Sequence, residues 1–413
     1  MKYVIIGSGV AGVTAAQSIV SADPAAEAHI FGAEPYPYYR RPRLWEFIAG
    51  QVEQDALYFR PAGWYVERGI QLHLGTQVIS LDSVAHRLIL DDDSSMEYDR
   101  LLLATGGRSF VPPCDGTDKE GVFTLRTLND ALAIKAYAPS SPPHAGGERG
   151  GAVIIGGGLL GLETARALRT AGLEVTVVEF FPYLLPRQLD AEGAEVLQSL
   201  LEAQGLQVVT SGVTEAIRGN ERADGIRLKD GRVIPGELVL FSTGIRSEVS
   251  LAQAAGLEVS RGIIVDEQLR TSATDIFAAG DAAEFEGRVY GIIPAAIEQS
   301  RVAAANMVTP GSAVYTGTLP ATVLKVAGAE LASLGECVAE EDGLTSLRHV
   351  DLGAGHYRKF VLREGRIVGA ILLNDKERTR PVIQLIEQGV DVSAHADSLL
   401  EDEFDLKALL RQT

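Results

Sequence analysis

The stretch YVIIGSGVAG, residues 3–12, decides the fold of this 413-residue chain. Its first four residues are apolar throughout, as a buried strand of a parallel sheet requires. Three glycines follow in the spacing GxGxxG, and apolar residues then recur at helical intervals through residues 13–19. The segment His29-Ile30-Phe31 predicts the next strand. The chain therefore begins with a predicted β-turn-α-β unit.

The glycines of this turn have separate physical roles. Gly7 permits the tight turn, Gly9 lets the backbone approach a pyrophosphate, and Gly12 lets the helix pack on the strand. Glu34, 22 residues after Gly12, is placed to accept hydrogen bonds from the ribose hydroxyls of an adenosine. The N–H groups at the start of the helix belong to Val10 and Ala11. We therefore predict a bound dinucleotide at this first turn.

The same pattern recurs in the middle of the chain. The strand AVII, residues 152–155, leads into GGGLLG, which places Gly156, Gly158 and Gly161 in the same spacing. Glu179 ends the next strand, EVTVVE, and a carboxylate there would repel a 2′-phosphate, so NADH is favoured over NADPH. The residues that open the second helix are Leu159 and Leu160. The residues that follow Glu179 carry no positive charge and are Phe180, Phe181 and Pro182.

The two copies are alike beyond their glycine turns. Residues 88–106 and 226–244 each contain a polar hairpin tip, an alternating strand and an apolar strand that ends in Thr-Gly. We predict an α/β fold with two nested Rossmann-like three-layer dinucleotide-binding domains, of the glutathione-reductase-like kind, and a C-terminal α+β domain. Residues 138–150, rich in Pro, Ser and Gly, predict an exposed loop between the copies.

Two dinucleotide sites suit an enzyme that oxidises NADH with bound FAD, because the flavin holds the electron pair for a later acceptor. We expect an FAD-binding domain at residues 1–113 and 246–312, an NAD-binding domain at 114–245, and the C-terminal domain at 313–413. In the last part of the chain the pattern predicts helices at 294–307, 380–388 and 399–410. It also predicts strands joined by a hairpin turn at Glu364-Gly365.

Composition excludes several functional classes. The net charge of −18 and the pI near 4.9 argue against nucleic acid or an anionic membrane as a partner. Cys114 and Cys337 form no CxxC, and the seven histidines are scattered, so neither a redox dithiol nor a metal site is expected. No apolar run reaches about 18 residues, so we expect no membrane span and a cytoplasmic protein; a homo-oligomer is left open.

Several segments together resemble a known family. They are GSGVAG, EPYPYYRRPRL, LLLATGGR, GGGLLGLE, VVEFFPYLLPRQLD, TSATDIFAAGD, IPAAIEQSRVAA and TGTLPATVLKVAGAELASLG. With them the chain resembles the pyridine nucleotide–disulfide oxidoreductase superfamily, in its rubredoxin reductase and nitrite reductase flavin-domain branch. The resemblance covers nearly the whole chain.

The resemblance implies further flavin-binding residues. The segment DIFAAGD resembles the second FAD motif, with Asp281 on the ribityl chain and Gly280 allowing close approach. By the same resemblance Arg41 lies near the pyrophosphate and the strand around Val78 lies near the adenine. The resemblance also implies that the segment ATGGR closes the flavin pocket at Thr105 and Gly106, with Arg108 just beyond them.

The resemblance also implies residues near the reacting rings. Glu163 in GGGLLGLE and Gly244 in FSTG would border the nicotinamide where it lies over the flavin. Lys325 would reach the flavin from the tail domain. For Lys325, as for Arg108, an ordinary surface ion pair is the alternative.

Two departures from the family pattern restrict the function. The disulfide reductases carry a cysteine on the flavin-side segment, but none occurs between Met1 and Phe110, which disfavours reduction of disulfides. The ferredoxin reductases of oxygenase systems carry a segment that resembles RPxLSK at the place of residues 41–46. In this chain Glu46 occupies the position of that lysine. A carboxylate there changes the electrostatics near the flavin edge and favours the rubredoxin reductase side.

The expected function is hydride transfer from NADH to FAD, followed by electron transfer to an external acceptor such as rubredoxin. An acidic carrier needs a basic docking patch on this acidic chain. Alternatives are an NADH-linked subunit of a larger redox complex, an NADH oxidase that uses dioxygen, and a flavin-holding interaction protein. The candidate basic patches on which an acidic carrier would dock are three groups of residues: Arg40/Arg41/Arg43, Arg358/Lys359 and Lys376/Arg378/Arg380.

Overall fold

The computed structural model describes residues 1–138, 150–326, 328–338 and 342–411. Most of the predicted loop at 138–150 lies outside these residues. The α-helices in the described ranges are α1 (Val10–Ala22), α2 (Leu44–Ile48), α3 (Ala62–Val66), α4 (Leu128–Tyr137), α5 (Leu159–Thr170), α6 (Ala191–Ala203), α7 (Ser250–Ala254), α8 (Ile293–Val308), α9 (Lys376–Gln388) and α10 (Leu406–Leu409).

The β-strands in the same ranges are β1 (Lys2–Ile6), β2 (Glu27–Gly32), β3 (Ile70–Leu74), β4 (Val78–Asp82), β5 (Arg87–Leu90), β6 (Ser95–Glu97), β7 (Arg100–Leu103), β8 (Gly107–Ser109), β9 (Val122–Thr124), β10 (Gly151–Ile155), β11 (Glu174–Val178), β12 (Gln207–Val209), β13 (Thr214–Arg218), β14 (Gly225–Leu228), β15 (Val233–Pro235), β16 (Leu238–Phe241), β17 (Ile245–Ser247), β18 (Ile263–Val265), β19 (Ile276–Ala278), β20 (Ala283–Phe285), β21 (Ala321–Val326), β22 (Ala329–Gly335), β23 (Leu344–Asp351), β24 (His356–Arg363) and β25 (Arg366–Leu373).

The chain divides into two units. The first unit contains Met1–Arg43, Val52–Arg108 and Ile245–Thr318, and the second contains Leu44–Gln51, Ser109–Gly244 and Leu319–Thr413. Each unit is therefore assembled from segments that are distant in sequence.

The first unit is built on a parallel sheet in the order β19-β7-β1-β2-β3. The strand β1 occupies the centre because its residues are apolar on both faces, and Val4 and Ile5 are fully buried. The helices α1 and α8 pack against each other, and β4, β5 and β6 form a separate antiparallel sheet. The order brings the start of α1 beside the end of β7.

The second unit repeats this plan. Its parallel sheet has the order β12-β11-β10-β16-β9, with the first strand after the loop at the centre, and β13, β14 and β15 form the antiparallel sheet. The strands β7 and β16, which both end just before Thr-Gly, occupy equivalent places in the two sheets. The predicted α/β fold class with duplicated dinucleotide-binding modules is confirmed.

The last part of the second unit is a five-stranded antiparallel sheet in the order β21-β22-β25-β24-β23. Glu364 and Gly365 both adopt positive φ, 50° and 76°, between the paired residues Arg363 and Arg366. A two-residue hairpin turn with two positive φ angles matches the twist of the strands it joins. The predicted hairpin is therefore confirmed.

The predicted C-terminal helices need correction. The helix α9 begins at Lys376, before the predicted residue 380, and the predicted helix at 399–410 is wrong except for α10. The guanidinium groups of Arg358 and Arg378 bind backbone carbonyls of residues 399–402, which holds this segment outside a helix. The side chain of Asp405 accepts a hydrogen bond from the Lys407 N–H and so caps α10 there.

The second and third candidate docking patches are also wrong in part. Arg358, Lys359 and Arg378 are buried, and their charges are matched inside the unit, so they cannot face a partner protein. Lys376 and Arg380 remain exposed.

A buried ion pair joins α6 to the C-terminal sheet of the second unit. The Lys359 side chain, 1% exposed, places its Nζ 2.9 Å from a carboxylate oxygen of Asp190, and the Tyr357 hydroxyl donates to the same oxygen at 2.8 Å. The other carboxylate oxygen accepts the N–H of Gly193 and so caps α6. Burial alone raises the pKa of Asp190, but the hydrogen bonds from Lys359, Tyr357 and Gly193 outweigh it and hold this pKa below its ordinary value.

We predict that Lys359→Met lowers the free energy of unfolding by about 3–5 kcal/mol, because the buried Asp190 carboxylate loses its counter-charge. Urea denaturation followed by circular dichroism measures the change. Lys376→Met, which removes an exposed lysine, is the matched control and should change stability by less than about 1 kcal/mol. Equal losses in the two variants would contradict this account of the ion pair.

Candidate functional site: two glycine turns

Steric crowding at the first turn requires glycine. Gly7 has φ of +118°, and a Cβ atom there would lie 2.0 Å from the carbonyl oxygen of Ala104, just after β7. A Cβ at Gly12 would lie 1.9 Å from the carbonyl oxygen of Gly7. Both distances are far below van der Waals contact, so a side chain at either position would displace β7 or α1.

The start of α1 is open to an anion. Its N-cap is Gly9, which provides no side-chain hydrogen bond, so the first N–H groups of the helix, from Val10 and Ala11 onward, lack a side-chain cap. By contrast, Thr127 and Asp130 form a complete capping box on α4. Arg41 approaches Gly9 with its Nη1, and its buried Nε has no hydrogen-bond partner among the described residues. These donors fit a pyrophosphate group.

Glu34 lies beside this turn and is held by two donors. Arg41 Nη2 donates to its Oε1 at 2.6 Å, and the Tyr39 hydroxyl donates to its Oε2 at 2.6 Å. Burial raises the pKa of Tyr39, so its hydroxyl keeps the proton that it donates. A carboxylate has further lone pairs, so Glu34 can still accept from a ribose. Tyr39 was not among the predicted site residues.

The second predicted flavin motif adjoins the same helix. Gly280 has φ of +79°, and a Cβ there would lie 3.0 Å from the Cβ of Ala11. Its N–H donates to Oε1 of Gln299 at 2.8 Å, and Asp281 follows in a 3-10 helix. Gln299, which was not among the predicted site residues, is 1% exposed, and its buried Nε2 has no hydrogen-bond partner among the described residues. An unsatisfied buried donor here fits a polar ligand atom.

The remaining predicted flavin residues lie within the first unit as follows. Thr105 donates through its hydroxyl to the Glu248 carbonyl oxygen at 2.7 Å, and Gly106 has φ of +73°. Arg108 is 75% exposed and lies 3.7 Å from the Glu248 carboxylate. Val78 is buried at the start of β4.

The second turn repeats the crowding of the first. Gly156 has φ of +113°, and a Cβ there would lie 2.3 Å from the carbonyl oxygen of Ser242, just after β16. A Cβ at Gly161 would lie 2.2 Å from the Gly156 carbonyl oxygen. Gly158 is the N-cap of α5 without a side-chain cap, and no atom lies within 4 Å of a Cβ placed on it. The open N–H groups at the start of α5 begin with Leu159 and Leu160.

The Glu179 side chain is hydrogen-bonded to the backbone of the second turn. Its side chain is 6% exposed; Oε2 accepts the N–H of Gly157 at 2.6 Å and Oε1 accepts the N–H of Phe181 at 2.8 Å. The next residue, Phe180, is 63% exposed. The carboxylate is thus fixed beside the turn by the backbone, next to exposed aromatic rings, and forms no ion pair with any residue that the structure describes.

The residues predicted near the reacting rings are distributed over the second unit. Glu163 is buried on α5, and α2, which carries the half-buried Glu46, packs against α5. Gly244 has φ of +99° and its carbonyl oxygen accepts the N–H of Phe110. Lys325 on β21 is 67% exposed, with its Nζ 4.0 Å from Glu330.

The cysteines carry no paired thiol chemistry. Neither Cys114 nor Cys337 forms a disulfide bond, and burial raises the pKa of each thiol. Within the described residues no group of three or more His, Cys, Asp or Glu is arranged to hold a metal ion. No helix in the same ranges is long and apolar enough to cross a membrane.

Comparison with known proteins identifies the class of this chain. Residues 1–305 match the family described as pyridine nucleotide-disulphide oxidoreductase, and residues 320–390 match the rubredoxin NAD+ reductase C-terminal domain. The chain belongs to the pyridine nucleotide-disulphide oxidoreductase family of NAD(P)H-dependent flavoprotein oxidoreductases. The predicted family and enzyme class are confirmed.

Individual relatives differ in length and activity. The chain is 37% identical to a nitrite reductase [NAD(P)H] of Bacillus subtilis over 95% of its own length and 48% of the relative. It is 31% identical to an NADH oxidase of Methanocaldococcus jannaschii, covering 98% and 94% of the two chains. The putidaredoxin reductase in its covalent putidaredoxin complex has a similar structure, with a TM-score of 0.87, 26% identity and coverage of 100% and 98%. The chain spans about half the length of its nitrite and nitrate reductase relatives.

We predict that Gly156→Ala lowers the free energy of unfolding by roughly 2 kcal/mol or more, because the added methyl group meets the Ser242 carbonyl at a positive φ. Gly158→Ala is the matched control: its φ is −79° and its surroundings are open, so the fold should tolerate it. Thermal unfolding of the two variants tests the contrast. Comparable destabilisation by both substitutions would refute it.

Proposed function

We propose that this chain is an FAD-dependent NADH:acceptor oxidoreductase, with FAD at the first glycine turn and NADH at the second. The carrying observation is that each turn combines an uncapped helix start with an acidic residue held beside it. FAD, when bound, supplies the two-electron chemistry that links NADH to an acceptor. We assign the FAD-binding domain to 1–113 and 246–312, the NAD-binding domain to 114–245, and the tail domain to 313–413.

The proposed FAD site uses donors on three segments of the first unit. The N–H groups of α1 and the guanidinium of Arg41 bind the pyrophosphate, and Glu34 accepts from the ribose. Gly280 and Asp281 lie along the ribityl chain, with Gln299 fixing the Gly280 backbone. The other proposed contacts are Val78, Thr105, Gly106 and Arg108. Near the reacting rings we propose Glu46, Glu163, Gly244 and Lys325.

Charge at the second turn favours NADH over NADPH. The Glu179 carboxylate is fixed by two backbone donors and cannot easily move away from a 2′-phosphate. Phe180 and Phe181 offer that phosphate no positive charge, and their exposed rings suit an uncharged adenosine. Because Glu179 is buried, solvent screens its repulsion of the 2′-phosphate less than at an exposed site. This repulsion contributes to discrimination between NADH and NADPH.

The first test is anaerobic stopped-flow spectroscopy of the yellow holoprotein. We expect NADH to bleach the flavin absorbance in this experiment. In steady-state turnover kcat/KM should be at least about tenfold higher for NADH than for NADPH, a difference of about 1.4 kcal/mol. In the variant E179Q/F180R the preference should narrow, because a repelling charge is removed and a phosphate-binding one is added. A colourless protein that does not retain added flavin would overturn the assignment, and equal rates with both nucleotides would overturn the NADH preference.

For the acceptor we propose a small acidic electron-transfer protein. The cysteines of the described residues form no dithiol, so electrons leave from the flavin to an external molecule. A candidate docking surface is the arginine ladder of the first unit, in which arginine and aromatic side chains stack alternately: Arg40 on Phe59, Arg60 on Phe59 and Trp64, and Arg68 on Trp64. Arginine and tryptophan are enriched at the energetic centres of interfaces, and the positive charge suits an acidic partner on an otherwise acidic chain.

We predict that R40Q/R60Q/R68Q lowers kcat/KM for rubredoxin by about tenfold at low salt, since steering and contact charges are lost. Reduction of ferricyanide, which needs no docking surface, should be unchanged. The control R218Q/R227Q/R232Q removes three exposed arginines from the second unit and should leave both activities near wild type. Rubredoxin turnover equal in both variants would refute the arginine ladder as the docking surface.

A second candidate function follows from the lengths of the relatives. The nitrite and nitrate reductase relatives extend well beyond the matched region, and one of them is named an assimilatory nitrate reductase electron transfer subunit. We therefore propose, as the alternative, an NADH-linked component of a larger redox complex. Co-purification of the tagged chain with other redox subunits supports this alternative. Oxygen consumption at tens of turnovers per second would instead favour an NADH oxidase.

A further inference from the structure

A cavity at the far end of α5 contains two arginines. It has a volume of about 550 Å³ and lies within the second unit. Its lining residues come from the last turns of α5 and from the segment after α6: Arg166, Arg169, Thr170, Gln204 and Leu206. Arg169 follows the N-cap Gly158 by eleven residues, which places it about 16 Å along the helix axis from the second glycine turn. The cavity is therefore separate from the proposed NADH site.

The backbone holds the Arg169 guanidinium group at this cavity. Arg169 Nη1 donates to the Leu173 carbonyl oxygen at 3.3 Å, and a Cβ on Gly205 would lie 2.9 Å from its Nη2. A Cβ placed on Gly328 would lie 3.6 Å from Arg166 Cζ and 3.8 Å from Gln204 Nε2. Arg166 and the Gln204 amide thus approach the same point, and glycines leave room for both arginines.

No acidic group neutralises these charges. In the described part of the chain neither Arg166 nor Arg169 lies within 4.0 Å of a carboxylate oxygen, whereas Arg218 and Arg227, which belong to the same unit, do. The full chain has 55 acidic and 37 basic residues, so the charge gathered at this cavity is opposite in sign to the net charge of the chain. The negative end of the α5 dipole stabilises a cation there by only about 0.3–1 kcal/mol. That benefit does not require two arginines facing a cavity.

The chemistry of the lining selects a phosphate. Two guanidinium forks carry two positive charges and offer paired N–H donors that match the oxygens of a dianion. The Gln204 amide adds a neutral donor, and the Thr170 hydroxyl, which donates to the Arg166 carbonyl oxygen, can still accept. The cavity is open to solvent, because Arg169, Thr170 and Gln204 are exposed, and its volume lies within the range of small-ligand sites. We propose that this cavity, here called the arginine pocket, binds a small phosphate-bearing molecule.

The test uses the FAD-loaded protein with saturating NAD+, so that both glycine turns are filled. Isothermal titration calorimetry with inorganic pyrophosphate at constant ionic strength should show saturable binding with a dissociation constant of about 1 mM or lower. R166Q/R169Q should weaken this binding at least about tenfold. R227Q/R232Q, which removes two exposed and paired arginines of the same unit, should bind as the wild type does.

Further arms keep the proposal decidable. R166K/R169K retains the two positive charges but loses the forked guanidinium groups, so it should bind pyrophosphate with intermediate affinity. This variant is the test if R166Q/R169Q does not fold. Titration with sulfate and with acetate separates a site for a dianion from one for any anion. Absence of saturable pyrophosphate binding to the wild type, or equal binding by R166Q/R169Q and R227Q/R232Q, would overturn the proposal. Binding of acetate as tight as pyrophosphate would overturn the selection of phosphate.

Discussion

The structure depends on a steric constraint that occurs twice. In each parallel sheet the carbonyl oxygen after one strand lies where the first glycine of the neighbouring turn would carry a side chain: Ala104 against Gly7, and Ser242 against Gly156. The third glycine of each turn is then pressed against the carbonyl of the first. This close packing fixes where α1 and α5 begin relative to their sheets. The direction of the open N–H groups at each helix start, and hence the proposed place of a ligand phosphate, follows from it.

Sequence reasoning succeeded where a short pattern determines the backbone. The glycine spacings, the apolar strands and the Glu364-Gly365 hairpin each depend on neighbouring residues, and the structure contains them as predicted. The duplication added a second, internal test, because the two halves had to follow one plan. Predicted site residues within these patterns, such as Gly7, Glu34 and Glu179, lie in or beside their turns for the same reason, and their binding roles stay predictions.

The failures arose where distant residues determine the outcome. Gln299 reaches Gly280 from α8, and no local pattern predicts this contact because the two residues are 19 positions apart. The segment 399–410 has a helical pattern, but Arg358 and Arg378 bind its carbonyls and prevent a helix. These arginines and Lys359 look like surface charge in the sequence, although their partners lie inside the unit. Whether a charge is buried depends on partners that only the tertiary fold brings together.

The lack of side-chain caps on α1 and α5 has a consequence for the protein inside a cell. A helix start without a cap keeps unsatisfied donors until water or an anion binds them, so its first turn is the easiest part of the helix to open. Any molecule that binds these donors only in the folded state shifts the folding equilibrium in its favour. A chain whose helix starts bound such a molecule would therefore spend less time unfolded, and less time open to proteases, than a chain whose helix starts were empty.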